Sequence, residues 1–163
     1  MKFIGLSCLL TAFTLAGFRV SSALTQKAVR IRLLRQLVIT AETELQSKLP
    51  LVPDLLRSLA GQAVFKDLGF LQAAARQADS FPESWDTAVN QDPDLSETEK
   101  SVLSNIGQIL GATTLDGQLA AFALFQEQLS EMQKEAESAA ARRGKLYCSL
   151  GLLTGCFCAV LLL

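Results

Sequence analysis

The sequence contains no histidine. The commonest general base and the commonest metal ligand are therefore missing together. Cysteine is confined to the two ends, as Cys8, Cys148, Cys156 and Cys158. The middle can hold neither a disulfide framework nor a cysteine zinc site. Cys156 and Cys158 fall in an apolar run and read as small apolar side chains. Proline is absent after Pro93, so nothing there breaks a long helix. β-branched residues are sparse, and alternation of apolar and polar residues over five or more positions is rare, so no strand is predicted.

Acid is also missing from both flanks. All sixteen Asp and Glu lie between Glu42 and Glu137, where only Lys48, Arg57, Lys66, Arg76, Lys100 and Lys134 oppose them, a net of −10. One flank carries Arg19, Lys27, Arg30, Arg32 and Arg35, the other Arg142, Arg143 and Lys145. The overall charge of −1 thus hides an acidic body on a basic collar, and such collars suit anionic lipid headgroups.

Beyond each collar lies an uncharged apolar stretch. Leu146–Leu163 reads LYCSLGLLTGCFCAVLLL, close to the ~20 apolar residues that cross a bilayer as a helix. Phe3–Phe18 is also uncharged and can extend through Val20 to Leu24. The alternative for this first stretch is a cleaved signal peptide ending at Ser21-Ser22-Ala23, which would make a tail-anchored extracytoplasmic protein. Arg19 and the basic run after it argue for retention, because cations beside a span stay in the cytoplasm. Both collars give the same orientation, with Arg142, Arg143 and Lys145 at the mouth of the second span. The expected division is a membrane helix over 1–23, a cytoplasmic helical bundle over 24–144 and a second membrane helix over 145–163.

Between the spans the periodicity is helical throughout. Ile31, Leu34, Val38, Ala41 and Leu45 step 3-4-3-4 along a helix from Thr25 to about Leu49, with Glu44 and Lys48 spaced to pair. Pro50 and Pro53 end it. A short helix spans 53–60, with Gly61 as its stop. Val64, Phe65, Leu68, Leu71, Ala74, Ala75 and Ala78 predict one helix over 64–78. Phe81-Pro82 opens a short helix with Trp85, Ala88 and Val89. Residues 90–95, with Pro93, are the most loop-like stretch and are expected to divide the body into halves. Ser96-Glu97-Thr98-Glu99 is a capping box, and the helix it starts carries Val102, Leu103, Ile106, Ile109 and Leu110. Phe122, Phe125, Leu129, Met132 and Ala136 mark a last helix running from about Leu115 into the second span. The expectation is an all-α, membrane-anchored antiparallel bundle of about six helices.

No catalytic constellation emerges, and no cofactor is expected. Gly107 and Gly111 lack the GK[ST] of a phosphate loop and read as helix-end stops. Glu42 and Glu44 point to different sides of one helix. Asp92 and Asp94 fall short of the six to eight oxygens that calcium takes and read as solvated loop acids. An acidic body with its bases at the membrane excludes nucleic-acid binding. Two interaction features remain. Gly151 and Gly155 form GxxxG in the last span, which permits close helix packing. The acidic body suits a partner with a basic face.

Leu34-Arg35-Gln36-Leu37 is followed by Glu42 and Glu44, then by Leu49-Pro50-Leu51 and Pro53-Asp54-Leu55-Leu56. Trp85 with Ala88-Val89 comes next, then Gly107, Leu110, Gly111, Asp116 and Gln118, then Lys145-Leu146-Tyr147, Leu150-Gly151 and Gly155. In this order, between two terminal spans, the set resembles the stage III sporulation protein AB family of endospore-forming bacteria. The resemblance implies a non-enzymatic subunit of an envelope-spanning complex between mother cell and forespore, in the mother-cell side of the membrane. It implies a domain similar to the cytoplasmic bundles of platform proteins in type II secretion and type IV pilus systems. The implied partners are the lipid bilayer, the cytoplasmic ATPase of the same operon (stage III sporulation protein AA) and other membrane subunits.

Overall fold

The computed structural model describes the backbone of residues 2–162 and the side chains of residues 25–142 and of Ser149. Six α-helices follow in order: α1 Lys2–Lys48, α2 Val52–Gly61, α3 Gly69–Arg76, α4 Glu83–Gln91, α5 Glu97–Ile109 and α6 Leu115–Leu162. Single 3-10 turns lie at Ala63–Phe65 and Ala78–Ser80, and the described residues include no strand. Among the described residues no helix is long and apolar enough to cross a membrane. Apart from Ser149, the expected spans over 1–23 and 145–163, with Arg143, Lys145, Gly151 and Gly155, lie outside the residues whose side chains are described.

The chain divides into two compact units, one of Met1–Arg32 with Glu131–Leu163 and one of Leu33–Ser130. In the first, α1 buries Ala28 and Ile31. The Arg32 guanidinium donates to Glu137 Oε1 at 3.1 Å, and Gln133 Nε2 donates to the same oxygen at 2.8 Å. These bonds, Gln133 first, hold the Glu137 carboxyl below its ordinary range.

In the second unit the apolar stripe of α1 is buried as its spacing requires, through Leu34, Val38, Ala41 and Leu45. Phe122, Phe125 and Leu129 of α6 are buried too. Gln126 of α6 donates to Glu42 of α1 through its side-chain amide. The short helices pack on one another, α3 against α2 and α4, and α4 against α5. Prolines shape α2 as expected, with Pro53 in its first turn. The capping box is present: Glu99 Oε2 accepts the Ser96 N–H at 2.7 Å and the Ser96 hydroxyl at 2.6 Å. Gly111 sits at φ +81° just past α5, a left-handed stop that glycine takes without steric cost.

Three expectations need correction. The single helix over 64–78 is broken: a 3-10 turn ends at Phe65, Leu68 is extended, and α3 starts only at Gly69. Leu68 and Phe70 explain the break, since both are buried. Two residues apart in a continuous helix, they would face nearly opposite sides. Val64, counted in the stripe, is exposed. Second, the loop after α4 does not divide the body, because residues 33–130 form one unit. Asp92 in that loop reaches back to α3, where its Oδ2 accepts the Phe70 N–H at 3.1 Å. Its Oδ1 takes the Asp94 N–H at 2.9 Å. Asp92 is thus the cap that α3 lacks locally, not a solvated loop acid. Third, Glu44 does not turn to Lys48. Its Oε1 accepts from Ser58 Oγ at 3.1 Å and Gln62 Nε2 at 3.0 Å, tying α1 to α2.

The Asp92 cap gives a direct test. Asp92→Ala should destabilise the protein by about 1–2 kcal/mol, the usual cost of a lost N-terminal cap. Asp92→Asn, which keeps an acceptor oxygen, should lose less than half of that. Chemical denaturation followed through Trp85, the one tryptophan of the chain, measures both. Equal losses would mean that charge rather than hydrogen bonding to α3 supplies the stability.

Candidate functional site

The expected site residues separate into two groups. Glu42, Glu44 and Gln118 serve the framework. Gln118 is buried and donates from Nε2 to the Thr113 carbonyl at 2.8 Å, closing the turn into α6. Asp116, in the first turn of α6, is exposed. Arg142 of the collar is exposed as well. Gly107, Leu110 and Gly111, by contrast, line one depression, and Gly107 lies against Trp85.

Trp85 is the centre of this second group. Its indole is 4% exposed, and Nε1 donates to the Leu103 carbonyl at 2.7 Å. A carbonyl inside a helix has a second lone pair for such a bond, but an aromatic ring must approach the helix backbone closely to reach it. Gly107 makes that approach possible. A Cβ at Gly107 would lie 2.3 Å from Trp85 Cδ1 and 2.7 Å from Nε1. Gly107 is therefore no helix stop; it lies within α5 as the flat seat of the indole. Phe70 completes the joint, with its ring edge-on to the indole at 5.5 Å and 88°.

Over this joint lies an open groove. One depression of about 490 Å³ is lined by Pro82, Glu83, Trp85, Asp86, Ser104 and Gln108, among others. A second of about 370 Å³ shares Pro82, Gly107 and Gln108 and continues past Asp79 and Leu110 to Leu51. Ser104 donates its hydroxyl to Asp86 Oδ1, fixing that carboxylate at the wall. The acids here are Asp79, Glu83 and Asp86, and no Lys or Arg lines either depression. Arg57 reaches Asp79 Oδ1 at 2.7 Å and Asp54 Oδ1 at 3.3 Å. The hydrogen bond to Asp79 and its charge raise the Arg57 pKa further. Those pairs are exposed and add little to stability. Among the described residues no cluster of three or more acids or cysteines could hold a metal ion. The groove offers surface and charge rather than a reactive constellation.

Sequence reasoning placed Trp85 in a helix but missed Pro82, Glu83, Asp86 and Gln108. Glu83 and Asp86 are three apart on one short helix, the spacing that puts two acids on a common face. That was the available signal.

Residues 2–163 match the profile of the family described as Stage III sporulation protein AB. The chain belongs to that family. A curated member, stage III sporulation protein AB of Bacillus subtilis (strain 168), is 26% identical over 170 residues, covering 100% of this chain and 99% of the relative. No solved structure matches the chain. Membership in the AB family places the protein among sporulation proteins of endospore formers. It also gives the Trp85–Gly107 joint a context, since both residues stand among the positions that carried the resemblance.

Proposed function

We propose that the chain is a non-catalytic membrane platform subunit of a secretion-like sporulation complex between mother cell and forespore. In this reading two terminal helices anchor it in the mother-cell side of the membrane. The acidic body faces the cytoplasm and docks the ATPase of the same operon, stage III sporulation protein AA, to the other membrane subunits.

The observation that carries the proposal is the layout of charge: a helical body of net −10 between two apolar ends, the first with Arg19, Lys27, Arg30, Arg32 and Arg35 on its body side against Lys2 alone before it, the second with cations only on its body side. Two further facts support it. α1 runs unbroken from Lys2 to Lys48 and α6 from Leu115 to Leu162, so each apolar end continues as helix into the body. The groove is lined by acids and holds no constellation for covalent chemistry.

The test is co-purification of the operon's ATPase with membranes of sporulating cells in a mild detergent, with and without this chain. The ATPase should partition to the membrane fraction only when this chain is present. An ATPase that stays soluble, or a body digested by protease added outside the cell, would overturn the proposal.

A further inference from the structure

We infer that the groove over the Trp85–Gly107 joint is the docking site for a segment of the partner that carries lysine or arginine beside an apolar residue. This rests on the reading that the acidic body docks a cytoplasmic protein, and it adds where and to what kind of segment.

Charge complementarity selects the occupant. The lining presents Glu83 and Asp86, besides Asp79 already paired with Arg57, and no Lys or Arg is among the lining residues. An anionic lipid or nucleic-acid backbone would meet repulsion there, whereas a cationic side chain would find paired carboxylates. Shape narrows the choice to a segment. The two depressions share Pro82, Gly107 and Gln108, so they run on from one another and stay open to solvent. Small-molecule sites are more enclosed.

The groove also has an apolar end. Leu51 lines it at 74% exposure, and neighbouring Leu49 is 65% exposed. Leu49 takes φ +48°, turning the chain off α1 ahead of Pro50. An apolar residue of the partner would cover Leu51 while its cation meets Glu83 and Asp86. The floor is rigid, because Trp85 is held by the Leu103 carbonyl, the Gly107 backbone and the edge of Phe70. A preformed floor lowers the ordering cost of binding.

The experiment uses the full chain in phospholipid nanodiscs, titrated with the purified ATPase of the same operon. Glu83→Lys with Asp86→Lys should weaken binding at least about tenfold and flatten its salt dependence. Glu127→Lys with Glu131→Lys, the same charge change on exposed positions of α6, should weaken it less than about twofold. The milder Glu83→Gln should cost about threefold, and circular dichroism with Trp85 emission establishes that each variant is folded. Equal weakening by both reversed pairs would assign binding to overall charge and overturn the inference. So would wild-type affinity in the groove pair, while the platform role stands. A groove pair that alters only self-association in light scattering would make a second copy the occupant and also overturn it. No binding of the wild-type chain to the ATPase would remove the platform role, and this inference with it.

Discussion

Gly107→Ala should destabilise the protein by about 3 kcal/mol, at the upper end of the usual range for overpacking a core, and lower its melting temperature by ~10 °C. The sign is the informative part. A glycine that merely weakened the interior of α5 would yield the opposite result, since alanine is the better helix former by about 1 kcal/mol. Here the new methyl would lie 2.3 Å from Trp85 Cδ1. The indole cannot retreat without giving up its hydrogen bond to the Leu103 carbonyl and its contact with Phe70. The clash should vanish when the ring is removed. In a Trp85→Leu background, Gly107→Ala should be neutral or stabilising by up to about 1 kcal/mol. Thermal melts by circular dichroism of the four proteins of this cycle measure the coupling. Additive effects of the two substitutions would mean that the ring does not rest on Gly107.

Phe70→Ala should cost about 3–5 kcal/mol, the range for deleting a fully buried aromatic; Phe70 is 1% exposed. Part of the loss is the edge-to-face contact, worth about 0.5–1.5 kcal/mol in such pairs. Phe65→Ala provides the comparison. Phe65 is 0% exposed, so its loss should be of similar size. The two should differ in fluorescence. Removing Phe70 opens space beside the indole and should shift Trp85 emission to the red, whereas Phe65→Ala should leave the emission of the native state unchanged. If both variants shift emission alike, the joint is not a local structure.

These two experiments also bear on function, because the same residues form the floor beneath the acidic groove. Trp85→Leu should loosen that floor with or without Gly107→Ala, and weaker partner binding by either variant at a temperature where it remains folded would tie the groove's shape to docking.

Most of the helical architecture could be read from residues one turn apart. The stripe of Ile31, Leu34, Val38, Ala41 and Leu45 is buried as spaced, and Ser96 with Glu99 caps α5 as their separation foretold. Such features depend on neighbours three or four positions away, which the sequence lists in order. The reading failed where a residue's partner was distant. Phe70 is buried next to a helix break that the spacing of Leu68, Leu71 and Ala74 concealed. Asp92 caps a helix that begins 23 positions before it. Gly107, read as a stop, is a seat for an indole on another helix.

By itself, then, the sequence determined that the body is helical, that its acids are segregated from its basic flanks, and that its family is one of sporulation. Those properties are set by local spacing, by charge order along the chain and by motif order. Tertiary structure alone decided that Trp85 rests on Gly107 and that Asp79, Glu83 and Asp86 share one groove. Contacts between helices depend on which faces meet, and a glycine in a sequence carries no mark of the ring that will lie against it.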